Sequence, residues 1–309
     1  MTTIVMTGGT SGLGAVALGQ LARQPGARVL LGARGPKPAG TETLPVETLP
    51  LDLAELDSVR AFAAAVIDRL GGAGIDSLVL NAGVNMHDGK SRTADGFETT
   101  FGVNHLAHYL LLRLLMPHLA PGAVVVLTTS ATHDPAAKTI LPVPRHADAR
   151  LLAHPEQDPQ RDEKARAAAG RAYSSSKLCN ILTARALAVQ PEAVAGNWRV
   201  LAYDPGPTGG TNLMRNTPPA MRMLWKLLGT SARALMPHFN SRAAAGGNLA
   251  GVAGGRITPP AGKWHARVVK DELTWPQPSE LALSDEARDA LWLDSAPLVG
   301  LPSPTPAGS

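Results

Sequence analysis

Five short apolar runs rich in β-branched residues, at 3–7, 28–31, 77–80, 123–129 and 198–203, alternate along the chain with segments of helical periodicity at 14–23, 56–70, 97–119 and 173–190. Strand–helix alternation builds right-handed βαβ units, which set parallel strands in one sheet with helices on both faces. Strands covered on both sides read as unbroken apolar runs, and "AVVVLTT" at 123–129 has that form. The expected fold is α/β: a three-layer, doubly wound parallel sheet of Rossmann type, with residues 1–300 as one domain.

Composition narrows the function classes. At 44% hydrophobic and 17% charged, the 309 residues suffice for a large core. No run reaches the roughly 18 apolar residues that cross a bilayer. Met1 to Met6 lack the basic and apolar regions of a secretion signal. A single cysteine, Cys179, permits no internal disulfide and reads as a small core residue, so a cytoplasmic setting is expected. The net charge of +4 is scattered among acids with no five-residue basic run, which argues against a nucleic-acid partner. His105 and His108 share a helix without a third ligand, and no metal site is expected.

Three regions break the alternation. Residues 134–170 are long, polar and proline-bearing, and such a connection is usually functional or disordered. Residues 212–239 are rich in Met, Leu and Arg. They read either as a lid over an apolar substrate or as a core-facing amphipathic helix, and their basic residues also allow contact with a membrane surface. The tail at 301–309 reads as disordered, and Ser284 ahead of Asp285 and Glu286 should open a last short helix.

Directly after the first strand comes "TGGTSGLG", Thr7 to Gly14, and then a helix. Gly8 would allow the tight turn, Gly12 the approach of a pyrophosphate, and Gly14 close helix–sheet packing, with the phosphates at the helix N-terminus. The second strand ends in "RVLLGARG", without the acid that would bind the ribose hydroxyls of NAD(H) and with Arg34 in its place. A guanidinium suits a 2′-phosphate, so NADP(H) is the expected cofactor and NAD(H) the alternative. Tyr173 and Lys177 lie one helical turn apart, where an ammonium would lower the phenol's pKa toward the range of a general acid/base.

These motifs, taken in order over about residues 3–211, resemble the short-chain dehydrogenase/reductase family. The resemblance implies that Gly8, Thr10, Ser11, Gly12, Leu13 and Gly14 form the cofactor turn, with Arg34 beside it. Asp52 and Leu53 of "LDL" would meet the adenine, and Asn81, Ala82 and Gly83 of "LNAG" would close the fourth strand on the cofactor. Pro205, Gly206 and Thr208 of "DPGPTGG" would line the nicotinamide. It further implies that Ser130 positions the substrate oxygen and Tyr173 exchanges its proton. Lys177 would hold the nicotinamide ribose, and Asn104 would take part in a water-linked relay.

Within the family, "FGVNHLAHYLLL" and "YSSSKLCNILT" resemble the branch of retinol dehydrogenases and protochlorophyllide reductases. The expected activity is NADP(H)-dependent hydride transfer to or from an apolar carbonyl or alcohol. Carbon–carbon double-bond reduction of the protochlorophyllide type is the alternative, although 4% aromatic residues is a thin supply for a large planar tetrapyrrole. A non-catalytic NADP(H) sensor is the alternative of another class, and the complete Asn104–Ser130–Tyr173–Lys177 set argues against it. The resemblance implies a dimer or tetramer, while the departing C-terminal third leaves a monomer open.

Overall fold

A computed structural model describes the chain except for residues 37, 39, 210–238 and 303–309. Its first half runs β1 (Thr2–Thr7), α1 (Gly12–Ala22), β2 (Ala27–Ala33), β3 (Val46–Pro50), α2 (Leu56–Leu70) and β4 (Ile75–Leu80). Helix α3 begins at Thr99–Phe101, widens to a π-turn over Gly102–Leu106 and continues as Ala107–Leu115. There follow β5 (Leu119–Thr128), α4 (Ala165–Ala188), β6 (Arg199–Asp204), α5 (Arg242–Ala253), β7 (His265–Val269), β8 (Glu272–Thr274) and α6 (Asp285–Leu298).

The eight strands form one sheet in the order β3-β2-β1-β4-β5-β6-β7-β8, parallel throughout except for the β7/β8 pair. This is the Rossmann arrangement expected from the alternation. Successive strand residues face opposite layers. Val5, Leu30, Leu78, Val125 and Leu127 pack toward α2, α3, α4 and α6, whereas Ile4, Met6, Val29, Leu31, Val124 and Val126 pack toward α1 and α5. Both sets are almost fully buried, which accounts for the unbroken apolar runs. From β1 the chain moves outward to β3, then returns to β4 on the other side, so strand order reverses between β1 and β4. Ligands of such sheets bind at that crevice, beyond the carboxyl ends.

Several boundaries differ from the sequence reading. Strand β3 lies at the sheet edge, where Pro50 costs no ladder hydrogen bond, and its polar Glu47 and Thr48 hide it from an apolar-run search. Strands β7 and β8 were hidden by their shortness. Helix α4 begins eight residues before Tyr173, because the alanine-rich 165–169 continues through Gly170, where an added Cβ would meet Pro142 Cδ at 2.9 Å. Helix α3 stops at Leu115, and a proline-bearing turn, Met116–His118, leads straight into β5. Segment 134–164 is ordered by charge: Asp162 accepts from Arg171 Nε at 2.5 Å and Arg145 Nη2 at 2.8 Å. Ser284 caps α6 as expected, its hydroxyl accepting from Ala287 N–H at 3.1 Å. The proposed lid falls almost wholly outside the described residues, as does most of the tail. Among the described residues no helix is long and apolar enough to cross a membrane.

Candidate active site

The carboxyl ends of β1, β2, β4, β5 and β6 open onto one continuous cleft of about 1420 Å³. The glycine turn, Arg34, Asp52 and Leu53 line one part of it, and Ser130, Tyr173 and Lys177 line another. Asn81, Ala82, Gly83, Pro205, Gly206 and Thr208 line it as well.

The turn from β1 is built to bring backbone close to a ligand. Gly8 has φ +71°, and a Cβ there would lie 2.6 Å from Ala82 Cα; a Cβ at Gly14 would overlap the Gly8 carbonyl. Asn81 Nδ2 donates to that carbonyl at 2.9 Å, tying β4 to the turn. Thr7 Oγ1 accepts from the amides of Asn81 and Ala82 at 3.0 and 3.1 Å and lies 2.9 Å from His108 Nε2. Because His108 Nδ1 faces the Asn104 carbonyl at 3.1 Å, Nδ1 carries the proton and Nε2 accepts from Thr7. Burial pushes His108 down to about 4 and its neighbour His105 to about 3, so both imidazoles are neutral structural groups. A glycine-rich turn at the start of an eleven-residue helix, lining the cleft with Gly8, Gly12 and Gly14, fits a dinucleotide pyrophosphate. Among the described residues exposed Arg34 has no acidic partner, and Asp52 uses Oδ1 to hold the Ala54 amide at 3.0 Å.

At the cleft's other end Tyr173 is buried, and its phenol lies beside the Ser130 side chain. Lys177, one turn on, donates to the Thr128 carbonyl at 3.1 Å, with its nitrogen 5.8 Å from the Tyr173 ring centre. The expectation of a lowered phenol pKa is corrected here. Burial pushes Tyr173 above the usual tyrosine value and the nearby Asp204 carboxylate pushes it further, against the lowering effect of the neighbouring Ser130 side chain. The ammonium is spent on a carbonyl, and burial brings Lys177 down to about 8. Asn104 is fully buried and does not line the cleft. Its side chain accepts from Val84 N–H at 2.8 Å and donates to Val84 O at 2.9 Å and Ser176 Oγ at 3.0 Å. A Cβ on Gly83 would stand 3.3 Å from Asn104 Oδ1 and 3.4 Å from Lys177 Nζ, so the two flank one point.

Over residues 2–140 the chain matches the family model described as short chain dehydrogenase. It is 31% identical to human retinol dehydrogenase 12 over 310 residues, 96% of this chain and 86% of that protein. The chain belongs to the short-chain dehydrogenase/reductase family. This short-chain dehydrogenase/reductase is also 32% identical over 325 residues to protochlorophyllide reductase A of rice, Oryza sativa subsp. japonica, covering 96% and 80% of the two chains. These relatives represent the branch its motifs resemble. The crystal structure of an uncharacterised protein from Mycobacterium paratuberculosis superimposes on it with a TM-score of 0.70 at 27% identity, over 99% of this chain and 96% of that one.

One group in this short-chain dehydrogenase/reductase was missed by the sequence reading, which noted Asp204 only as the start of a turn. Asp204, 1% exposed, ends β6 opposite Arg267 of β7 and pairs with its Nε at 3.3 Å. Oδ1 accepts from Gly206 N–H at 2.8 Å. One buried carboxyl group thus ties Arg267 of β7 to the Pro205–Gly206 turn. His133 completes the support, with Nδ1 on the Ser130 carbonyl at 2.8 Å and Nε2 accepting from Ser279 N–H at 3.3 Å. The only signal in sequence was an acid within an otherwise apolar strand end.

Proposed function

We propose that this chain is an NADP(H)-dependent oxidoreductase acting on an apolar carbonyl or the corresponding alcohol, with Tyr173 as general acid/base. The observation carrying this reading is the buried Tyr173 beside the Ser130 side chain, in the same cleft as the glycine turn, with Lys177 one turn away. NADP(H), when bound, supplies or accepts the hydride. Thr10 to Gly14 would hold its phosphates, Arg34 its 2′-phosphate, Asp52 and Leu53 its adenine, and Asn81 to Gly83 with Pro205, Gly206 and Thr208 the remainder. A phenol kept protonated by burial and by Asp204 suits donation to a carbonyl oxygen. Ser130 holds that oxygen beside the phenol. Lys177, near 8, is a cation at neutral pH and offsets the negative charge left on Tyr173. Asn104 acts by fixing the Gly83–Val84 backbone beside Lys177.

Carbon–carbon double-bond reduction is the second reading, favoured by the likeness to protochlorophyllide reductase A over nearly the whole chain. In it Tyr173 protonates carbon instead of oxygen. The test is NADPH oxidation with a panel of apolar aldehydes and ketones, beside NADH and a Tyr173→Phe variant. NADPH-preferring turnover that disappears in the variant supports the carbonyl reading. Tight NADPH binding without turnover refutes it and directs the assay to double-bond substrates in light and dark.

A further inference from the structure

Three exposed cations that line the cleft, Lys138, Arg166 and Lys270, have no part in the proposed reaction, and the first two come from segment 134–170. Lys138 and Arg166 both line the cleft, both are exposed, and no acidic side chain lies within 4.0 Å of either. Residues 37, 39, 210–238 and 303–309 contain no Asp or Glu, so no acidic side chain outside the described residues is left to pair with them. The two acids that line the cleft are committed elsewhere: Asp52 beside the glycine turn and Asp204 on Arg267. Nearby Asp88 is folded onto its own loop, accepting from Ser91 Oγ at 2.6 Å and from the amides of Lys90 and Ser91.

Arg166 has a fixed relation to the reacting end. Arg166, Gly170, Tyr173 and Lys177 all lie in α4 and all line the cleft. Spacings of four, three and four residues keep them within about 60° of one another around the helix. The seven residues from Arg166 to Tyr173 span about 10 Å of axis. Met86, Val103, Ala137 and Leu141 give the cleft an apolar part of its lining, and Ile140, which lines it too, is 93% exposed. A solvent-facing isoleucine two residues after Lys138, in a cleft that Arg166 also lines, describes the complement of an amphiphile.

We propose that the substrate is an apolar oxo compound bearing a carboxylate about 10 Å from its carbonyl carbon, with that carboxylate held by Arg166 and Lys138. This rests on the carbonyl-reductase reading above and names its substrate class. It also gives segment 134–170 a role, since both cations come from it. The carbonyl meets Ser130 and Tyr173, the chain lies along the apolar wall, and the charge reaches the mouth without being buried.

The test uses the full chain with NADPH and two probes, the ω-oxo derivative of decanoic acid and its methyl ester. The acid should be preferred in kcat/KM by about three- to tenfold, the range for a charge-assisted contact partly screened by solvent. The preference should reside in KM and shrink as salt is raised. Arg166→Gln with Lys138→Gln should abolish it while leaving ester turnover and NADPH affinity unchanged. Shorter oxo acids should lose it, because they cannot reach both ends. Equal use of acid and ester, or an equal loss for both in the double variant, overturns the proposal while leaving the carbonyl-reductase reading intact. No turnover of either the acid or the ester refutes that reading and this proposal with it.

Discussion

Acidification from about pH 7 to about pH 5 should destabilise the protein by about 4 kcal/mol through two histidines, and the sum follows from their burial. His105 and His108 are 1% exposed, with pKa values pushed by burial to about 3 and about 4. In the unfolded chain both titrate near 6.5. At pH 5 the unfolded state has therefore taken up a proton on each, while the folded imidazoles are still almost wholly neutral. The sign is a loss of stability as pH falls below about 6.5, and each histidine contributes about 1.5 pH units times 1.36 kcal/mol, or about 2 kcal/mol. The folded pKa values enter only weakly, provided both lie well below 5. Protonation has no room in the structure, because His108 Nε2 would aim a second donor at Thr7 Oγ1, which already receives two amides. Urea unfolding followed by tryptophan fluorescence at the two pH values measures the effect. Glu98 and Asp204, whose carboxyls burial raises, act in the opposite sense, so the comparison is with His108→Gln, which should lose about 2 kcal/mol less than the wild type. Equal acid losses in wild type and variant would refute the reasoning.

Other outcomes follow from the same geometry. Gly14→Ala should abolish NADPH binding and lower stability by about 1–3 kcal/mol, since its methyl overlaps the Gly8 carbonyl, whereas Gly35→Ala, with nothing within 4 Å, should be near neutral; melting with and without NADPH separates them. Arg34→Gln should weaken NADPH about 10- to 100-fold and leave NADH unchanged, read by fluorescence titration; equal weakening of both would contradict the 2′-phosphate role. Asp204→Asn removes the charge that raises the Tyr173 phenol, so the alkaline limb of kcat/KM for reduction should move to lower pH, and an unmoved limb would remove Asp204 from the electrostatics of the site.

Much of this protein was legible in local sequence because its constraints are local. A tight turn out of β1 needs glycine at Gly8 and Gly14 wherever the rest of the chain goes. A four-residue helical spacing brings Tyr173 and Lys177 together without help from any other element, and strands covered on both faces announce themselves as apolar runs. Alternation of strand and helix then sets the hand and the layering of the sheet. What tertiary structure alone decided is the state of the groups so placed. Whether Lys177 lowers the Tyr173 phenol depends on where its ammonium is spent, and Thr128, distant in sequence, takes it. Asp204 becomes a buried clamp only because β6 registers against Arg267 of β7. His108 could be read as an idle helix residue until the fold set Thr7 against it, a hundred positions away. Periodicity fixes which face a side chain is on; its proton affinity is set by desolvation and by partners that only the folded chain brings within reach.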